Sequence, residues 1–381
     1  MTPKRILFLM SDTGGGHRSA AQAIVDALER EFPGKYATQL VDAIARAALP
    51  PFNHMPDWYL PVVTYAEPLW DVGFRSTNRP PVIRSAQPLL DVMIGIRLRR
   101  VLRAETPDLV VSVHPLLTAH ARRSLRAIGS HAPFVVVVTD LFTAHGLWFD
   151  PKADLTLVPT AGTDAGARRY GVPGEKLRVV GLPVSLKFLA RGKGKAEQRA
   201  QLGLVPDKMT ALMVGGGEGM GKVYETARAI AQARLPLQLV VIAGRNKTLK
   251  EKLDATDWEI PVSVQGFVTN MPDWMHAADV LITKAGPGTI MEGLACGLPI
   301  LLNGYLPGQE SGNVTFVEQS GVGLLREEPE EIARTLGEWL MPINDTLARF
   351  SARARELARP GAALDIAAIL DDILTSRETG I

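Results

Sequence analysis

The chain has 381 residues with 42 Lys and Arg against 40 Asp and Glu, and 46% of it is apolar. That length suits two domains better than one core, and a net charge of +2 removes any global pull toward nucleic acid, so a basic contact face has to be local. Cys296 is the single cysteine; an intrachain disulfide is excluded, a small buried hydrophobe in a reducing compartment is the natural reading, and no run reaches the roughly 18 apolar residues that span a bilayer.

In chain order, residues 5–10 (RILFLM) open an apolar run that a glycine turn follows, so it reads as a buried strand rather than a secretory signal, and a cytoplasmic chain is expected. Residues 109–113 (LVVSV), 134–139 (FVVVVT) and 155–159 (LTLVP) also lack polar alternation, as parallel strands buried on both faces do. Ala20, Ala23, Ile24, Ala27 and Leu28 between the first runs keep helical spacing, which is βαβ logic. Residues 46–105 depart from this pattern: they are rich in proline and aromatics and read as an inserted, partly helical excursion. Its end mixes Val92, Ile96, Val101 and Leu102 with Arg97, Arg99, Arg100 and Arg103. As a helix this is basic and amphipathic, and two readings stand: a helix packed on its own sheet, or one that meets anionic lipid headgroups.

A charged, glycine-bearing stretch at 191–208 interrupts the strands, and the pattern restarts at 210–217, 237–244, 262–267, 279–286 and 299–303. The boundary falls near 185–195. Both halves show a strand, then glycines, then a helix: Gly14-Gly15-Gly16 in one and Gly215-Gly216-Gly217 in the other. The prediction is an α/β chain with two doubly wound halves, 1–190 and 191–345, and C-terminal helices over 346–381 placed to pack back on the first half.

Ligands of such sheets bind beyond the carboxyl ends of the strands. Glycine there allows close backbone approach or a positive φ, and the following helix offers free N–H groups to anions. His17 follows the first cluster at a helix N-terminus, where the dipole disfavours imidazolium; it reads as a neutral base or as a plain cap of the turn. Asp140 ends another strand and is placed to orient His17 or to act as the base itself, with His114 and His145 as further candidates. No spacing of His, Cys and Asp matches a metal site. In the second half, Gly286, Gly288 and Thr289 precede a helix and suit a diphosphate, and Glu292, a turn later, suits two hydroxyls of a ribose; a capping box of Thr289 with Glu292 fits the same residues. Gln309, Glu310 and Asn313 are equipped for sugar hydroxyls.

The stretches SDTGGGHRSAAQAI, VVTDLFTAHGLWF, MVGGGEGMG, GRNKTLKEKL, GFVTNMPDWMHAADVLITKAGPGTIMEGLACGLPILLN and PGQESGN together resemble the monogalactosyldiacylglycerol synthase family, glycosyltransferases of the GT-B type related to bacterial diacylglycerol glucosyltransferases. The resemblance covers most of the chain apart from 42–105 and the C-terminal tail. It implies two Rossmann-like domains facing a central cleft, the first taking a lipid acceptor and the second a UDP-sugar. Phe267 and Val268 would lie beside the uracil, Arg245 and Asn246 near the nucleotide, and Glu292 at the ribose. Gly217, Gly286, Pro287, Gly288 and Thr289 would surround the diphosphate, and Gln309 and Glu310, with Asn313 beside them, would hold the hexose. His17 would meet the acceptor hydroxyl, with Gly15, Gly16, His145 and Trp148 on the acceptor side. The implied reaction is an inverting transfer from UDP-galactose or UDP-glucose to diacylglycerol, without an obligatory metal or cofactor, at the inner face of an anionic membrane. GPGT and YLPGQESGN favour galactose; the alternatives are a diacylglycerol glucosyltransferase and a UDP-sugar epimerase of the same fold.

Overall fold

The computed structural model describes residues 2–13, 15–190, 194–217, 219 and 221–377; Gly14 of the first glycine cluster and residues 191–193 of the linker lie outside the described residues. The chain divides into two compact units. The first runs to Leu186 and includes Pro307–Gln309 and the final helix, Ala362–Ser376; the second holds Lys187–Leu306 and Glu310–Pro360.

The first unit is built on a parallel sheet of six strands: β1 (Lys4–Met10), β2 (Tyr36–Asp42), β3 (Leu109–Ser112), β4 (Phe134–Val137), β5 (Leu155–Val158) and β6 (Leu177–Val179), in the order β2-β1-β3-β4-β5-β6. Side chains of a strand alternate between its faces, and β1 shows the result. Ile6, Phe8 and Met10 pack with Ile24 and Leu28 of the helix Gly16–Glu31 and with Ile366 and Leu370 of the final helix. Leu7 and Leu9 join the opposite core with Leu98, Leu102, Leu125 and Trp148. A strand sandwiched in this way cannot alternate apolar with polar residues, which is why its sequence reads as one apolar run.

The excursion is helical almost throughout: Met55–Tyr65, Glu67–Thr77, Pro80–Leu90, a wider π turn at Asp91–Gly95, and Ile96–Glu105. The expectation of partial helicity gave its prolines too much weight as breakers. Each of the first three helices starts with proline at its first or second position, where a missing N–H costs nothing. The packing reading of its last helix holds on one face, and the other face is open. Ile94, Leu98 and Leu102, spaced by four, are buried in the core, while Val92 and Ile96 are exposed. Tyr65 at 89% and Leu69 at 71% are among further apolar side chains that this excursion leaves in solvent.

The second unit repeats the plan with β7 (Met209–Val214), β8 (Leu237–Ile242), β9 (Val262–Gln265), β10 (Val280–Thr283), β11 (Ile300–Leu302) and β12 (Gly323–Leu325), all parallel, in the order β12-β11-β10-β7-β8-β9. The two C-terminal helices part company. Thr346–Leu357 stays with the second unit, where Ser351 Oγ donates to the Gly297 carbonyl at 2.7 Å. Ala362–Ser376 packs along Gly16–Glu31 in the first. Among the described residues no helix is long and apolar enough to cross a membrane.

Candidate functional sites at the two switch points

In a doubly wound sheet the strand order reverses at one point, and loops leaving the strands there splay apart to open a crevice. The first sheet reverses between β1 and β3, the second between β7 and β10. The residues singled out from the sequence lie largely on the loops that leave these strands and their neighbours.

In the first unit, β1 delivers His17, the second residue of Gly16–Glu31, and β3 delivers His114. The rings meet edge to face with centroids 4.6 Å apart. His17 Nδ1 is 2.9 Å from Thr139 Oγ1, just beyond β4, and the Val113 carbonyl also accepts from the ring. His114 Nδ1 accepts from the Leu116 N–H at 3.3 Å, so a neutral ring carries its proton on Nε2 and donates it to Thr13 Oγ1 at 3.0 Å. His145 follows the same rule: Nδ1 accepts from the Leu147 N–H at 3.2 Å, and Nε2 donates to Thr77 Oγ1 at 3.2 Å. Burial pushes His17 and His145 down to about 4. It also holds His114 well below 6.5, helped by its neighbour His17. The sequence argument for a neutral His17 rested on the helix dipole; the structure supplies desolvation as the main cause.

Asp140 accepts from the Trp148 indole N–H at 2.7 Å and from the His145 N–H at 3.5 Å. Trp148 is fully buried, with its ring 6.0 Å from His17. Asp140 therefore fixes the wall beside His17, and the side-chain partner that the structure gives the His17 ring is Thr139, beside the Val113 carbonyl. Gly15 has φ −51°. A Cβ on Gly15 or Gly16 would meet nothing within 4 Å. Neither positive φ nor internal packing requires glycine there, and the bare backbone leaves room for another group to approach closely.

The second unit gathers five loops. Glycine is compulsory in two of them: Gly244 has φ +63° and a Cβ on it would stand 2.4 Å from the Gly217 carbonyl, and Gly219 has φ +60° with the Ala243 carbonyl at 2.4 Å. These contacts bring the loops after β7 and β8 against each other. The Arg245 guanidinium lies 4.5 Å above the Phe267 ring, which is 56% exposed and forms a flat cationic shelf beside Val268. Asn246 caps the helix Lys247–Asp254 by accepting from the Leu249 N–H at 2.9 Å, so its side chain has a scaffold role.

The helix Pro287–Ala295 has Gly286 as its N-cap, and no side chain caps it. Thr289 is thus the third residue inside the helix, and the capping box with Glu292 does not form. Pro287 has no N–H to lose, while the N–H groups of Gly288 and Thr289 open at the helix end, the arrangement that binds anions. Glu292, partly buried on the same helix, is pushed up to about 7 by desolvation and has no side-chain hydrogen bond among the described residues. One turn on, burial raises Cys296 to about 12; the thiol is half-buried, short of the full burial expected, with His276 Nε2 3.9 Å from its Sγ.

Beyond β11, Asn313 is buried and donates from Nδ2 to the Ala285 carbonyl at 2.8 Å, pinning the loop before Gly286. Glu310 is buried as well and accepts from Lys284 Nζ at 2.5 Å and from the Leu306 N–H at 2.9 Å. Gln309 clusters with the first unit, where its Oε1 accepts from the Tyr59 hydroxyl at 3.3 Å. Sequence reasoning missed Thr13, Thr139 and Lys284. All three sit inside the quoted motifs, and the lysine signals itself as a cation beside a glycine turn. Among the described residues no three His, Cys, Asp or Glu side chains cluster so as to hold a metal ion.

Residues 17–184 match the family described as monogalactosyldiacylglycerol (MGDG) synthase, and residues 210–360 match the glycosyltransferase family 28 C-terminal domain. The chloroplastic monogalactosyldiacylglycerol synthase of Spinacia oleracea is 40% identical over 99% of this chain and 74% of its own. Monogalactosyldiacylglycerol synthase 2 of Arabidopsis thaliana is 40% identical over 98% and 82%. Among solved structures, Acinetobacter baumannii MurG superposes with a TM-score of 0.63 at 15% identity, covering 97% of this chain and 100% of its own. The kitacinnamycin glycotransferase gives 0.62 at 17%, covering 98% and 99%. At such low identity these two structures speak for the fold, which is GT-B. With two-fifths identity sustained over nearly its whole length, the chain belongs to the monogalactosyldiacylglycerol synthase family.

Proposed function

We propose that this chain transfers galactose from UDP-galactose to the 3-hydroxyl of 1,2-diacylglycerol, inverting the anomeric carbon to give a β-galactolipid. The observation that carries the proposal is the full-length identity to monogalactosyldiacylglycerol synthases. In the proposed step the acceptor oxygen attacks C1 of the sugar and its proton passes to a ring nitrogen of His17. The C1–O bond to the diphosphate breaks, and its electron pair leaves with UDP. A neutral imidazole is the form that can take this proton, which suits a ring that burial holds neutral. Thr139 orients the ring, and Asp140, through Trp148 and beside His145, shapes the acceptor side. On the donor side, Glu292 takes the ribose, the Arg245–Phe267 shelf and Val268 take the uracil, and Gln309 faces the hexose. The open N–H groups of Gly288 and Thr289, with the bare backbone of Gly217 and Gly286, receive the diphosphate. Leaving-group charge is then stabilised by fixed backbone dipoles, and no resident metal or cofactor enters the scheme.

Diacylglycerol carries two apolar chains and has to be taken from a bilayer. The exposed Tyr65, Leu69, Val72, Leu89, Val92 and Ile96, interleaved with Arg75, Arg79 and Arg84, support peripheral attachment of the excursion to an anionic membrane from its cytoplasmic face.

The test offers purified protein UDP-galactose and UDP-glucose separately, with diacylglycerol in anionic liposomes. Labelled glycolipid from UDP-galactose is expected. Labelled lipid from UDP-glucose alone would reassign the sugar, and release of UDP or an epimer without lipid would reassign the reaction.

A further inference from the structure

We infer that Lys284 is the side-chain cation that meets the diphosphate of the sugar nucleotide, and that Glu310 serves the reaction through it, as a positioning residue and not as a ligand of the hexose. The inference rests on the donor-site reading above and assigns it two residues. Lys284 is the first residue beyond β10, on the strand pair where the second sheet reverses. Its side chain passes by both glycine turns: Cε lies 3.9 Å from the place a Cβ would take on Gly216, and Cε and Nζ lie 3.9 Å from that place on Gly286.

Three observations point the ammonium at an anion. First, it is held from behind. Glu310 Oε1 sits 2.5 Å from Nζ, the side chain of Glu310 is 7% exposed, and its other oxygen is already occupied by the Leu306 N–H at 2.9 Å. A carboxylate engaged at both oxygens and buried to this degree is poorly placed to receive a sugar hydroxyl, and well placed to fix a lysine. Second, Lys284 is the exposed partner, at 37%. One of its three N–H groups goes to Glu310, and among the described residues the other two have no hydrogen-bond partner. Third, its neighbour is the positive end of the helix Pro287–Ala295, whose first turn contains no acidic residue and no capping side chain. An ammonium beside a helix N-terminus is unfavourably placed in an empty site. Glu310 offsets the lysine charge, so the pair tolerates the empty state. A diphosphate then finds two ammonium N–H groups and the open backbone N–H groups of the helix converging on it.

The chemistry follows. When the C1–O bond breaks, the electron pair stays on the β-phosphate oxygen and the diphosphate gains a unit of negative charge. Lys284 remains protonated and stabilises that charge without transferring a proton, so it favours the transition state over the bound donor.

The test measures binding of UDP and of uridine by calorimetry, and transfer kinetics, for the full chain and for Lys284→Met, Lys284→Arg and Glu310→Gln. Lys284→Met should weaken UDP about tenfold or more, leave uridine unchanged and lower kcat; Lys284→Arg should recover most of the loss. Glu310→Gln should weaken UDP in the same sense, yet add nothing in a Lys284→Met background, because it acts through the lysine. UDP binding unaltered in Lys284→Met overturns the assignment. Glu310→Gln that binds UDP normally but raises the KM of UDP-galactose overturns the positioning role and makes Glu310 a sugar ligand. If Glu310→Gln fails to fold, the Met and Arg variants still decide the role of Lys284. Wild-type protein that binds neither UDP nor uridine overturns the donor site itself, an outcome separate from all of these.

Discussion

Replacing Glu292 by glutamine should make the empty protein more stable and the donor complex weaker. Desolvation raises this carboxyl from 4.5 to about 7 in the folded chain, with no cation or donor among the described residues to reward ionisation. Below pH 4.5 both folded and unfolded states hold the proton, and the group is neutral in the balance. Between pH 4.5 and about 7 the unfolded chain ionises while the folded one keeps its proton, so wild-type stability falls as pH rises; above about 7 the loss is complete. The full shift is worth at most about 3 kcal/mol, and because the side chain keeps some contact with water we expect about 2 kcal/mol. Glutamine has no charge to bury. Urea midpoints of Glu292→Gln and wild type should therefore coincide near pH 4.5 and separate toward pH 8, the variant being the more stable. A ribose diol rewards the ionised carboxylate, so UDP-galactose should bind the variant about tenfold more weakly. Wild-type binding should release a proton below pH 7, seen by calorimetry in buffers of different ionisation enthalpy. The donor is a phosphodiester with no second phosphate ionisation near pH 6, so a proton released comes from the protein. A variant less stable than wild type at pH 8, or one that binds UDP-galactose as tightly, would refute the assignment of a strained, ligand-awaiting carboxyl.

His17→Ala should lower kcat by a factor of about 10²–10⁴ and leave the KM of UDP-galactose nearly unchanged; a rise in KM alone would take His17 out of the chemistry. Thr139→Val, which removes the 2.9 Å partner of the ring, should cost about tenfold in kcat, and unchanged kinetics would show that the ring is oriented by other contacts. His17, His114 and His145 are all depressed below 6.5 in the folded state, so their stability is full above pH 6.5 and drains away as pH falls toward 4. His145 alone accounts for up to about 3 kcal/mol of that, and His145→Gln should flatten the fall in urea midpoint from pH 6.5 to 4; an unchanged slope counts against it. Gly15→Ala should leave the melting temperature in place and reduce activity, since its Cβ enters open space. Gly244→Ala, at φ +63° and 2.4 Å from a carbonyl, should destabilise by about 2 kcal/mol or more. Equal effects of the two substitutions on stability would contradict the distinction.

The fold was legible because both sheets are parallel and buried on both faces. Such strands announce themselves as unbroken apolar runs, and the glycines that follow mark where each chain turns into a helix. Edge strands such as β6, with Arg178 and Val179 exposed, carry no such run and went unread. The excursion was harder for a related reason. Prolines open each of its first three helices, where they are harmless, Pro61 and Pro88 are tolerated inside two of them, and many of its apolar side chains face solvent, so neither periodicity nor composition marks its helices clearly.

The candidate site was legible at the level of loops and illegible at the level of atoms. A polar residue past a strand end looks the same in sequence whether it awaits a ligand or holds the loop that does. Asn246, Asn313 and Glu310 turn inward to a helix N–H, a carbonyl and a lysine, while Glu292 has no side-chain hydrogen bond among the described residues and the Phe267 ring under the Arg245 guanidinium is exposed. The glycines divide by the same test. Gly219 and Gly244 are needed by the chain, because a Cβ would strike a carbonyl; Gly15, Gly16 and Gly288 are not, because a Cβ would meet nothing within 4 Å. A glycine the fold can spare still carries the entropic penalty of a flexible backbone, of order 0.5–1 kcal/mol in a helix, and two of these three lie within helices. At the open end of a helix beside the point of reversal that penalty is smallest, and the proposed ligands supply a use for bare backbone there that internal packing does not.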